Sequence, residues 1–99
     1  MLIIAGTLDV DPARRDEFLA GRADALRASQ AEPGCLDYIM SADPLEPGRV
    51  RLFERWESKD DLKVHLGVLS QAKPEPDAVP VLGADITQYE ISASGPIGS

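Results

Sequence analysis

The chain has 99 residues and a formal net charge of −7, from 17 acidic and 10 basic residues, with a pI near 4.5. This balance disfavours nucleic acid and anionic membrane surfaces, both of which select basic faces, and no apolar run approaches the ~20 residues of a membrane span. A single cysteine (Cys35) and a single histidine (His65) exclude a disulfide framework and a zinc cluster, so the expectation is one cytoplasmic, metal-free domain over 1–92 with a frayed tail over 93–99.

The first strand is expected over 2–10. It carries Leu2, Ile3, Ile4, Leu8 and Val10, with apolar side chains on both parities. The stretch Met1 to Ala5 lacks the basic n-region of a signal peptide. Asp11-Pro12 then marks a helix start: Asp11 can accept from free N–H groups, and proline at the first helical position sacrifices nothing. The following helix is expected over 12–31, rich in Ala, Leu and Arg, with Phe18, Leu19, Ala23 and Leu26 sharing a face. Glu32-Pro33-Gly34 ends it, because the residue before proline avoids helical backbone.

The second strand is expected over 35–42, with Leu36, Tyr38 and Met40 on one face and Cys35, Asp37, Ile39 and Ser41 on the other. Asp43-Pro44-Leu45-Glu46-Pro47-Gly48 is a turn, short enough for a hairpin into a third strand over 49–57. There Val50, Leu52, Glu54 and Trp56 share one parity, while Arg49, Arg51 and Arg55 form a row on the other, expected at an interface rim or paired with acids. Ser58 with Asp61 resembles a capping box that opens a second helix. Its stripe of Leu62, His65, Leu66 and Leu69 should turn inward. Lys73-Pro74-Glu75-Pro76 breaks that helix, a helical turn is expected over 78–82, and the last strand over 84–92.

The order β-α-β-β-α-β is the split βαβ, ferredoxin-like α+β pattern. It predicts a four-stranded antiparallel sheet with both helices on one face. The other face, assigned Cys35, Ile39 and Phe53, needs a cover. A second copy of the chain is the simplest one, giving a homodimer of the α/β-barrel type, and a chain this short gains from such a partner.

At this point the sequence resembles the antibiotic-biosynthesis monooxygenase family. Glu32-Pro33-Gly34-Cys35-Leu36-Asp37-Tyr38 is similar to the segment leading into its second strand. Phe53-Glu54-Arg55-Trp56-Glu57-Ser58 is similar to the end of its third strand, and Leu62 with His65 to the helix that follows. The resemblance covers about residues 2–91. It implies homodimers packed sheet to sheet, with a pocket between each sheet and its helices. It further implies oxidation of hydroquinones or anthrone-like aromatics by O2 without a cofactor. A haem-degrading branch and small-metabolite isomerases belong to the same resemblance. The haem branch resembles an Asn-Trp-His site, and this chain has no asparagine.

On that basis His65 is the candidate base, since imidazole titrates near neutral pH. Its structural alternative is a histidine bonded to backbone or to Glu54. Glu54 is a second catalytic candidate, as a base, as the group that orients His65, or in a structural ion pair, because a buried carboxylate needs a partner. Trp56 offers a flat face for stacking on a planar substrate, and Tyr38 a phenol donor. Leu52 and Phe18 complete the expected substrate-binding set, though each of these four also suits plain core packing. Cys35 has no basic neighbour to activate it and reads as structural. No phosphate loop, nucleophile elbow or flavin or nicotinamide signature is present. The expected partners are a small aromatic substrate and O2, with a small-metabolite isomerase or a non-catalytic ligand-binding module as alternatives.

Overall fold

Local chemistry starts the helices where the sequence places them. In the structure, a computed structural model describing residues 1–73 and 75–98, Asp11 accepts from the Ala13 N–H at 2.9 Å, and Pro12–Arg14 forms one 3-10 turn before α1, Arg15–Gln30. Ser58 accepts from the Asp61 N–H at 3.2 Å and donates to its carboxylate at 2.8 Å, opening α2, Lys59–Gln71. The strands are β1 Leu2–Asp9, β2 Cys35–Ala42, β3 Arg49–Trp56 and β4 Gly83–Glu90. Residues 78–82 form no helical turn. Pro74, one of the expected breakers of α2, and Ser99 of the expected tail lie outside the described residues.

The four strands run antiparallel in the order β2-β3-β1-β4, the ferredoxin-like arrangement predicted from element order. Both helices lie on one face. Phe18 of α1 joins Leu8, Val10, Val50 and Val79 in one buried cluster, and Leu62 of α2 joins Leu2, Ile4, Tyr38, Leu52 and Trp56 in another. The strand residues in both clusters share one side of the sheet, and Met40 packs against both.

The second strand departs from simple alternation. A bulge between Cys35 and Asp37 sets Cys35 opposite Trp56 and Asp37 opposite Arg55. The extra residue reverses the parity of the strand's start. Cys35 therefore packs on the helix face beside the Trp56 cluster, not on the open face, and Leu36 is exposed rather than inward. Gly34 precedes the bulge with φ +79°, and a Cβ there would collide with the Asp61 side chain. Gly6 is needed for a different reason: a Cβ on it would lie 2.0 Å from the Asp85 carbonyl oxygen of β4.

The β2–β3 hairpin is clamped from α1. One Arg15 nitrogen donates to the carbonyls of Asp43, Glu46 and Arg49 at 3.1, 2.7 and 3.2 Å. Asp43 in turn accepts from the Leu45 and Glu46 N–H groups and from Arg51. Two of the three arginines in the row are paired with acids, Arg51 with Asp43 at 2.7 Å and Arg55 with Asp37 at 3.6 Å. The open face keeps Ile39 and Tyr89 half exposed, and every residue of β4 after Gly83 is exposed.

Candidate functional site

One row of cross-strand neighbours defines the floor of the site. Gln88 of β4 faces Ile4 of β1, which faces Glu54 of β3, which faces Tyr38 of β2. Antiparallel partners project from the same side of a sheet, so all four point toward the helices. Capped by Ser58, α2 runs above this row and sends Leu62 and His65 into it. Leu66 and Leu69 extend the same stripe but stay half exposed. Between them and the sheet lies a cavity of about 250 Å³, bounded by Leu62, His65, Leu66 and Leu69 above and by Ile4, Glu54, Ile86 and Gln88 below.

His65 is 1% exposed and sits among rings. Its centroid is 4.8 Å from that of Trp56, tilted by 35°, and 5.2 Å from Tyr38 in an edge arrangement. Its Nδ1 lies 2.9 Å from Oε2 of Glu32, in the turn before β2. The partner expected for this imidazole was backbone or Glu54; the structure supplies Glu32 instead. Nε2 is buried with no hydrogen-bond partner among the described residues. Glu54 is engaged elsewhere, accepting from the Trp56 indole N–H at 2.9 Å.

The electrostatics follow from burial. Desolvation pushes the Glu54 carboxyl above the usual carboxylate range, partly offset by the Trp56 hydrogen bond and the facing His65. Burial likewise pushes the Tyr38 phenol up to about 12, reinforced by Glu54, so it keeps its proton at neutral pH. A second depression of about 210 Å³ lies over the bulge, beside Gln30, Cys35 and Asp37. Burial raises the Cys35 thiol, which makes it a poor nucleophile. Among the described residues no group of three or more His, Cys, Asp or Glu side chains is placed to hold a metal ion.

Of the six site residues predicted from sequence, His65 and Glu54 bound the cavity. Trp56, Tyr38 and Leu52 form the buried wall behind them. Trp56 is 0% exposed, and its ring lies against His65 rather than open to the cavity. Phe18 is not part of this group; it packs in the other cluster, at the opposite end of β1 and β3. Glu32, Ile86 and Gln88 were not anticipated. Glu32 was visible as part of a helix-ending motif and of the family-like segment into the second strand, with no role at the site, and Ile86 and Gln88 only as strand residues. Nothing local links them to a histidine 33 positions from Glu32.

The sheet order, the bulge and the cavity beneath α2 define an α+β ferredoxin-like protein with an apolar pocket that holds a few polar groups. The chain belongs to the antibiotic biosynthesis monooxygenase family, whose model its residues 1–68 match. An uncharacterized Synechocystis protein is 31% identical over 64 residues, 65% of this chain but only 44% of that protein's length. A Deinococcus radiodurans protein, described as a candidate antibiotic biosynthesis monooxygenase, superimposes over 100% of both chains with a TM-score of 0.71 at 24% identity. The haem degrader MhuD of Mycobacterium tuberculosis, solved with two haems in its active site, superimposes over 97% of this chain and 100% of its own, with a TM-score of 0.74 at 16% identity. Likeness at these identities establishes the fold alone. No helix among the described residues is long and apolar enough to cross a membrane.

Proposed function

We propose that the protein is a cofactor-independent monooxygenase of small, electron-rich aromatics of the hydroquinone or anthrone kind. The observation that carries this reading is His65 itself, a residue that helps line an apolar cavity and whose buried Nε2 has no partner among the described residues. A buried nitrogen without a partner is costly, and a substrate hydroxyl in the cavity would supply one. His65 Nε2 accepts the proton of the phenol, or of the activated carbon of an anthrone. The resulting anion is rich enough in electrons to reduce O2 directly. One oxygen atom enters the organic product and the other leaves as water, with the substrate supplying the electrons. Leu62, Leu66, Leu69 and Ile86 give the site its apolar walls. Glu54, with its raised pKa, and Gln88 are placed to hold a second substrate oxygen.

Volume narrows the substrate class. About 250 Å³ lies below the ~300–1,000 Å³ of drug-sized ligand pockets and suits a small aromatic of one to three fused rings. Haem does not fit this site, since the cavity is too small, His65 is almost wholly covered and its Nδ1 is committed to Glu32. The cavity also weighs against a packed, non-catalytic module. The active form we propose is a homodimer joined through the open sheet face, where Ile39, Phe53 and Tyr89 lie uncovered or half covered. Sedimentation velocity should give twice the 10.7 kDa mass; a monomer at micromolar concentration would overturn the dimer.

The direct test is oxygen uptake with hydroquinones, naphthoquinols and anthrones in the presence of a chelator, compared with His65→Ala. Uptake that depends on His65 supports the monooxygenase. Conversion of a small metabolite without oxygen consumption would transfer the same base to an isomerase.

A further inference from the structure

Glu32 is the one acid hydrogen-bonded to His65, and nothing in the proposed chemistry has yet used it. We propose that Glu32 is the positioning residue of the site. It holds the proton on His65 Nδ1, so that Nε2 keeps a free lone pair for the substrate, and it balances the imidazolium formed when Nε2 takes a proton. This rests on the reading of His65 as the base.

The backbone fixes Glu32 before any substrate arrives. Its N–H donates to the Ser29 carbonyl at 3.1 Å, and its own carbonyl accepts from the Cys35 N–H at 3.2 Å. Gly34, with its positive φ, lets the chain turn directly into the bulge. The carboxylate is 18% exposed, and it meets an imidazole that is 1% exposed. Neutral imidazole carries one N–H and one lone pair, and the acceptor at one nitrogen decides which is which. A carboxylate accepts only, so a proton on Nδ1 satisfies the 2.9 Å contact and leaves Nε2 bare.

The other groups facing the ring do not duplicate this role. From β3, Glu54 is hydrogen-bonded to Trp56; from β2, Tyr38 presents its ring to the imidazole. Arg22 of α1 acts on the Tyr38 phenol. A protonated imidazole this deeply buried would be an uncompensated cation without a hydrogen-bonded anion. Glu32 is that anion, while Glu54, whose Oε1 is held by Trp56, keeps its other oxygen for the substrate.

A purely structural pin between the α1–β2 turn and α2 would show the same contact, so the test must read the proton. Side-chain ¹⁵N NMR of the ligand-free protein at mildly alkaline pH should find His65 as the Nδ1–H tautomer. Glu32→Gln, whose amide oxygen still accepts from Nδ1, should keep that tautomer. Glu32→Ala should shift the Nδ1–H to Nε2–H ratio by about ten- to a hundredfold, the worth of one charge-assisted hydrogen bond. A wild-type Nε2–H tautomer, or one unmoved by Glu32→Ala in a folded protein, overturns the proposal. With an oxygen-consuming substrate, Glu32→Gln should lower kcat about tenfold or more at unchanged KM. If His65→Ala stops turnover while both Glu32 variants leave kcat unchanged, the base stands and the positioning role falls. Where no substrate is turned over, the base reading fails and the tautomer alone decides the role of Glu32.

Discussion

The two ends of the helix-covered sheet face are built differently. At the end beneath the start of α1, Leu8, Val10, Phe18, Val50 and Val79 make a wholly apolar cluster, closed by the Arg15 clamp on the hairpin. At the other end, beneath α2 and Leu26 of α1, Trp56, Tyr38 and His65 pack with two carboxylates, Nε2 of His65 is left without a partner among the described residues, and a cavity remains. The same two central strands serve both ends, with Met40 of β2 packed against both clusters. One end buries apolar surface with no polar group to satisfy, which is where stability is cheapest. The other leaves hydrogen-bonding capacity unused, which lowers stability and is the usual signature of a site that expects a ligand.

Substitutions can break this division. The largest effect on folding should come from Phe18→Ala, at about 3–5 kcal/mol, because a buried aromatic leaves both lost transfer energy and a cavity. Urea denaturation measures it. Turnover per folded molecule should hold, and a loss of turnover beyond the unfolded fraction would tie the two ends together. His65→Ala should do the reverse, lowering turnover by about 10²–10⁴-fold, the usual contribution of a positioned base, with the chain still folded. Circular dichroism alongside the oxygen electrode separates the two losses.

Smaller effects sharpen the picture. Arg15→Ala strips three carbonyls of a charged donor and should cost about 1–3 kcal/mol, with hydrogen exchange rising first in the hairpin. Asp43 has its carboxyl held at about 2, chiefly by the Glu46 and Leu45 N–H groups and then by Arg51. Its stabilisation is complete above the ordinary value of 3.8 and disappears as pH falls toward about 2. Asp43→Asn should flatten the acid limb of the stability curve and leave neutral pH less affected by further acidification. Glu54 is the opposite case. Its raised carboxyl makes the folded state bind the proton more tightly, so its contribution falls as pH rises above the ordinary value of 4.5. Glu54→Gln keeps an acceptor for the Trp56 indole and should remove that decline in thermal melts across pH. A decline that persists in the variant would place its source elsewhere.

The division between the ends was only partly visible beforehand. His65 and Glu54 could be placed together because the helix stripe and strand parity are local patterns, and both point toward the same layer. Phe18 satisfied the same criteria and landed in the wrong cluster, because periodicity says which face a residue is on and nothing about how far along the sheet it packs. Cys35 and Leu36 exchanged faces because a single bulge reverses alternation, and no residue at that position announces one.

What the amino-acid sequence determined by itself was the element order, the caps at Asp11 and Ser58, the hairpin turn and the family motifs. Each depends on interactions within a few residues. The strand order that aligns Gln88, Ile4, Glu54 and Tyr38, and the contact of Glu32 with His65, were decided only in the tertiary structure. These join positions far apart in the chain, and their energies come from packing and desolvation, which exist only once the layers have closed.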